Sequence, residues 1–137
     1  MTFEDFEKDS MDGYCCDWIS KERFWFEGKK TSFWYRIGLI KHEYCPNWDG
    51  VVWTRYQVLL MVDDESVHES YKHGYFKNTF PTRRGYWLKE KEQKGTFNED
   101  TMMKLVDSAL KLKIENKIKE NSYQKILGIV NGTTFYH

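Results

Sequence analysis

Apolar and polar positions alternate through the middle of the chain, and that pattern predicts strands. From Val51 to Val62, the residues Val52, Tyr56, Val58, Leu60 and Val62 share one face by the period of two. Val51, Trp53, Leu59 and Met61 occupy the other face. Apolar residues on both sides mark a central strand, covered by helix on one face and by loop or partner on the other. Phe33–His42 repeats the pattern, with Phe33, Tyr35, Ile37 and Leu39 on one face and Trp34, Arg36 and Ile40 on the other. Arg23–Glu27 reads as its neighbour, joined around Gly28-Lys29-Lys30. The segment Glu43 to Gly50 reads as a loop closing on Asp49-Gly50, a strong turn pair. Tyr75–Phe80 and Tyr86–Glu92 read as a hairpin around residues 81–85, and the polar stretch before them holds a short helix between Asp64 and Gly74.

The two ends of the chain change period. Thr2 followed by Asp5 resembles a capping box, and residues 3–11 are expected to form a short helix with Phe3 and Phe6 inward and Asp5, Asp9 and Asp12 in a row outward. From Asn98 onward a long helix is expected. Asn98 is its cap, Glu99 and Asp100 sit at its positive end, and Met102, Leu105, Val106, Ala109 and Leu110 form the inward stripe. The stripe drifts through Ile114 and Ile118, which predicts a bend near 113–116. Residues 122–130 read either as a last helix or as a strand that turns at Asn131-Gly132. The resulting fold class is α+β. It comprises an antiparallel sheet of four to five strands, a short N-terminal helix, and a long C-terminal helix packed on one face, within one domain of 137 residues.

Composition adds rings and a charge asymmetry. The chain holds six Trp, nine Tyr and nine Phe, and every tryptophan lies between Trp18 and Trp87. Such rings are enriched where one surface grips another. Basic and acidic residues balance at 21 each, so no global field draws the chain to nucleic acid or membrane. The balance conceals an acidic start: Glu4, Asp5, Glu7, Asp9, Asp12, Asp17 and Glu22 face only Lys8 and Lys21. Three cysteines, two of them adjacent, make a poor disulfide framework and favour a reducing, cytoplasmic setting. The acidic opening has neither the basic nor the apolar part of a secretory leader, and the longest uncharged apolar run, Val58 to Val62, is far short of a membrane span.

Chemistry-bearing motifs are weak by comparison. His42 and Cys45 have H-x-x-C spacing, with Cys15, Cys16, His68 and His73 as further donors. None of these spacings brings four ligands to one turn, so no metal or cofactor is expected. No nucleophile elbow, P-loop or dinucleotide fingerprint occurs. Asp63 or Asp64 with Glu92-Gln93-Lys94 loosely imitates a metal-dependent nuclease, but alternating Lys and Glu is also how a solvated edge strand looks. Arg83 and Arg84, flanked by Tyr86 and Trp87, suit a nucleic-acid-binding hairpin in which guanidinium groups hold phosphate and rings stack on bases.

Taken together, these features favour binding over catalysis. The leading expectation is a non-enzymatic intracellular antagonist, of the immunity or phage counter-defence type, that occludes an enzyme with a basic cleft. Asp5, Asp9, Asp12 and Asp17 would steer the encounter, and Trp18, Trp25 and Trp48 would anchor the complex. The second expectation is the nucleic-acid-binding module built on Arg83, Arg84, Tyr86 and Trp87.

Overall fold

A computed structural model of the chain describes residues 1–9, 20–64, 86–111 and 113–130. Five strands form one antiparallel sheet whose spatial order is the chain order: β1 (Glu7–Asp9), β2 (Ser20–Lys29), β3 (Trp34–Tyr44), β4 (Trp53–Asp63) and β5 (Tyr86–Lys94). β2, β3 and β5 run longer than the alternation alone marked, because paired neighbours extend them, whereas β4 begins at Trp53 and leaves Val51 and Val52 in the turn. β2 and β3 pair from Ser20 opposite Glu43 to Lys29 opposite Trp34, where Lys30 N–H donates to Phe33 O at 2.8 Å to close the hairpin. Tyr75–Phe80 lies outside the described residues; β5, its expected partner, pairs with β4.

Three helices follow the sheet: α1 (Glu99–Leu110), α2 (Ile114–Lys119) and α3 (Tyr123–Val130). Their buried residues (Met102, Val106, Ala109, Leu110, Ile114, Ile118, Ile126 and Val130) meet Phe24, Ile37, Leu39, Tyr56, Val58, Leu60 and Val62 in one core. Each of the Val, Leu, Ile, Met and Phe side chains contributes roughly 1.5–3 kcal/mol through removal from water. The face assignment read from the alternation of β3 and β4 therefore holds. A bulge opposite Val58 and Leu59 shifts the β5 register and lets Leu88 join this core.

The N-terminal helix does not form. A single 3-10 turn covers Phe3–Asp5, with Thr2 N–H donating to the Asp5 carboxylate at 2.7 Å, and Phe6 is already extended. The capping signal was genuine, but a helix over 3–11 would have had only two rings to bury. Extended, the chain pairs Glu7–Asp9 with β2 and places Phe6 near Phe26 (5.8 Å) and Phe3 near Phe24 (5.0 Å) and Phe97 (5.5 Å). Tertiary contact overrides a weak local preference.

Nor is the C-terminal helix long. Asn98 caps α1 as expected, accepting from Thr101 N–H at 3.0 Å. The helix then breaks at Lys113, whose φ of 67° is left-handed, close to the expected bend. A straight helix rotates Ile114 and Ile118 away from the sheet, whereas the break turns both back into the core. A second corner falls at Asn121 (φ 61°), where Ser122 N–H donates to Lys117 O and Asn121 N–H to Ile118 O in a Schellman arrangement. The Asn121 side chain also accepts from the Ser32 hydroxyl at 3.3 Å, tying this corner to the β2–β3 hairpin. Residues 123–130 are helical, and the alternative turn at Asn131-Gly132 lies outside the described residues.

One close approach sets a sharp requirement within the sheet. Gly38 sits opposite Trp25, and a Cβ there would meet Trp25 Cζ3 at 2.7 Å. Gly38→Val is therefore expected to lower stability by about 2 kcal/mol through overpacking of a buried central strand. Urea unfolding checks this, and the double variant with Trp25→Leu is expected to recover part of the loss. A change below about 0.5 kcal/mol in Gly38→Val would mean the indole yields freely.

Candidate functional site

The sheet has two unlike faces. By register, Trp25, Trp34 and Trp53 all lie opposite the helices, together with Arg23, Arg36, Ile40, His42, Arg55, Leu59, Met61 and Asp63. The helix-side face is filled by aliphatics, Phe and Tyr. The other carries the indoles and the arginines. At its centre Arg36 Nη2 and Asp63 Oδ2 are 2.9 Å apart, and each residue is 1% exposed. The Trp25 ring lies 5.5 Å from the Arg36 guanidinium carbon, a cation–π contact.

Toward the β3–β4 turn this face becomes partly accessible. His42 lies opposite Arg55 and Tyr44 opposite Trp53. The His42 and Tyr44 rings are 5.0 Å apart, and the Arg55 guanidinium lies 5.9 Å from the Tyr44 ring. Arg55 also reaches Glu90 and Glu92 of β5 at 3.7 and 3.5 Å. Residues 45–52 connect the strands, and at their tip Trp48 is 77% exposed with φ 57°. Leaving aside Tyr86 and Trp87, it is the only exposed aromatic ring among the described residues. Asp49 Oδ1 accepts from Val51 N–H at 2.9 Å, and Gly50 follows at φ 79°. Trp48 thus combines a largely exposed ring with a left-handed backbone that L-residues disfavour.

The residues singled out from the sequence fall in different places. Asp5 caps the 3-10 turn and Asp9 pairs opposite Arg23 in β1, so the helical spacing that aligned them with Asp12 does not apply. Asp12, Asp17 and Trp18 lie outside the described residues, as do Arg83 and Arg84. Tyr86 and Trp87 begin β5, opposite Leu60 and Leu59. Trp25 packs in mid-sheet and Trp48 stands at the turn. Six residues of β3 separate Trp25's partner Gly38 from Tyr44, about 20 Å at strand rise, so the two indoles do not form one patch. His42, Tyr44, Trp53 and Arg55 are the site residues that sequence reasoning missed. Their signal was symmetry, since Tyr44 and Trp53 flank the loop at matching distances.

The other chemical arrangements do not assemble. Asp63 is buried against Arg36, whereas Glu92 sits opposite Arg55, eight residues or about 26 Å along β4. Cys45 is a free thiol, and no group of three His, Cys, Asp or Glu side chains converges among the described residues. A shallow depression of about 370 Å³ beside the N-terminal turn is lined by apolar Met1, Phe3 and Met103 and acidic Glu4, Glu99 and Asp100, without a Ser, Cys or His.

On the helix side, near the same end of the sheet, an ionic cluster fixes the approach to α1. Glu43 accepts from the Ser20 hydroxyl (2.8 Å) and from Phe97 N–H (3.1 Å), and lies 3.3 Å from Lys41. Glu22 pairs with Lys8 (3.1 Å) and Lys41 (3.3 Å). The Tyr56 phenolic oxygen (Oη) accepts from Asn98 N–H at 2.9 Å, and the Thr54 hydroxyl donates to Gly95 O at 2.7 Å. Burial opposes ionisation of Glu43, but the Phe97 amide, the Ser20 hydroxyl and Lys41 outweigh it and lower its pKa. Burial likewise opposes ionisation of Glu22, and its hydrogen bond and charge contacts with Lys8 and Lys41 prevail. Burial alone raises the Tyr35 phenol. Because both carboxyls titrate lower when folded, their stabilisation is complete above the ordinary value of 4.5 and is lost as pH falls through the lowered one. Denaturation midpoints are expected to drop on acidification below that value, with a shallower drop in Glu43→Gln. An identical slope in that variant would remove Glu43 from this account.

No protein-family model matches the chain, and no curated protein or solved structure matches it significantly. Among the described residues, no helix is long and apolar enough to cross a membrane.

Proposed function

We propose that this chain is a non-catalytic protein-binding module that grips a partner protein through the β3–β4 hairpin end, with Trp48 as its anchor. The supporting observation is Trp48 itself, 77% exposed at φ 57°. Tyr44, Trp53, Arg55 and His42 beside the turn supply the aromatic and arginine composition of binding hot spots. Where the partner is an enzyme whose cleft receives the turn, the outcome is inhibition by occlusion. Charge steering by the N-terminal acids has less support, because Asp5 and Asp9 are not aligned on a helix. Binding is accordingly driven by ring burial and only modestly weakened by 0.5 M salt.

The test is affinity capture from the native host with the immobilised chain, run in parallel with Trp48→Ala, followed by titration and activity assays with the purified companion. A stoichiometric companion that Trp48→Ala fails to retain supports the reading. A companion retained equally by both, or an oligonucleotide gel shift at low salt with no protein companion, overturns it.

A further inference from the structure

We infer that Asp49 and Gly50 are positioning residues, holding the Trp48 indole ready to enter a concave apolar pocket on the partner protein. This rests on the protein-binding reading above and adds how the anchor is presented and what receives it.

The backbone carries the argument. A tryptophan at φ 57° is in the left-handed region, which L-residues disfavour, so the surrounding loop must hold it there. Two features do so. Asp49 Oδ1 accepts from Val51 N–H at 2.9 Å, closing a local turn directly after Trp48. Gly50, at φ 79°, adopts a second left-handed conformation that only glycine takes without strain. Nothing lies within 4 Å of where a Gly50 Cβ would be, so Gly50→Ala changes the backbone preference without causing a clash. Together these features present five successive exposed residues, 46–50, at the end of a paired hairpin.

The shape and chemistry of the turn define its receptor. A protruding ring buries its area only in a concavity, and residues 45–52 carry one charge, Asp49. The complementary surface is therefore an apolar, indole-sized pocket. Holding the ring before the encounter removes an ordering penalty from binding.

The companion protein retained by the wild-type chain and lost by Trp48→Ala is the probe. Its affinity for Asp49→Ala and Gly50→Ala is expected to fall about tenfold with Trp48 intact, mainly through a changed loop equilibrium. Lys104→Ala, on the exposed side of α1, is expected to bind as wild type. A partner-independent readout is amide exchange in the free protein, where Val51 N–H is protected in wild type and loses protection in Asp49→Ala. Cooperative melting transitions confirm that the variants fold. If Trp48→Ala abolishes binding while Asp49→Ala and Gly50→Ala bind normally, positioning is overturned and the protein-binding reading stands. If no companion depends on Trp48, both fall.

Discussion

Arg36→Ala is expected to destabilise the protein by about 3–5 kcal/mol, more than any other single truncation of a polar residue discussed above. The pair it breaks is fully enclosed, with Arg36 and Asp63 2.9 Å apart and each 1% exposed. Removing the guanidinium leaves the Asp63 carboxylate in a low-dielectric interior without its close cation. It also strips the Trp25 ring of the charge that lies 5.5 Å from it. Urea unfolding followed by far-UV circular dichroism measures the loss. The large figure reflects a buried carboxylate that has lost its close cation and not the net worth of the pair, so the apolar double variant Arg36→Met/Asp63→Leu is expected to recover most of it. A loss under about 1 kcal/mol in Arg36→Ala would mean that water or a shift of the strand ends solvates Asp63, and that the enclosed pair is not a keystone of the sheet.

Trp48→Ala is expected to do the reverse, leaving stability nearly unchanged and removing the bulk of partner affinity. An exposed side chain away from the core changes stability by no more than about 0.5 kcal/mol on truncation. A central anchor ring typically contributes 2 kcal/mol or more to binding, a loss of roughly thirtyfold. Trp48→Gly sharpens the contrast. Glycine accepts φ 57° without strain, so the folded state is expected to be as stable as wild type or more so, while binding is lost as in Trp48→Ala. Calorimetric melting and titration against the companion measure the two effects on the same preparations. Substantial unfolding by Trp48→Ala would show that the ring serves the fold, and the binding proposal would lose its principal support.

These two residues also show where sequence reading succeeds and where it stops. Both were visible as residues: Arg36 on the strand face shared with Trp34 and Ile40, and Trp48 as an expected anchor beside Trp18 and Trp25. What the sequence did not separate was the pairing of Arg36 and the difference between Trp48 and Trp25. Arg36 meets Asp63 because β3 and β4 pair in antiparallel register, bringing together residues 27 apart in the chain. Trp48 differs from Trp25 only through its place, since one stands at a turn and the other packs over Gly38. The use of ring abundance as a sign of a gripping surface also needs revision. Within the described residues Phe3, Phe6, Phe24, Phe26, Phe33, Tyr35, Tyr56, Phe97 and Tyr123 form neighbouring ring contacts across the core and its margins, so ring count alone does not measure available surface.

What the amino-acid order determined by itself was local and periodic. It marked the strands at β2 to β4, which residues of β3 and β4 share a face, the Asn98 cap and the need for a bend near Lys113. These follow from side-chain direction and backbone satisfaction within a few residues, which a linear pattern encodes. Tertiary structure alone decided that residues 7–9 become a strand, that the C-terminal helix divides in three, that the described strand indoles gather opposite the helices, and that Arg36 finds Asp63. Each of these outcomes depends on the free energy of contacts between distant segments. Such contacts exceed local propensities of a few tenths of a kcal/mol per residue and leave no trace in the spacing of neighbours.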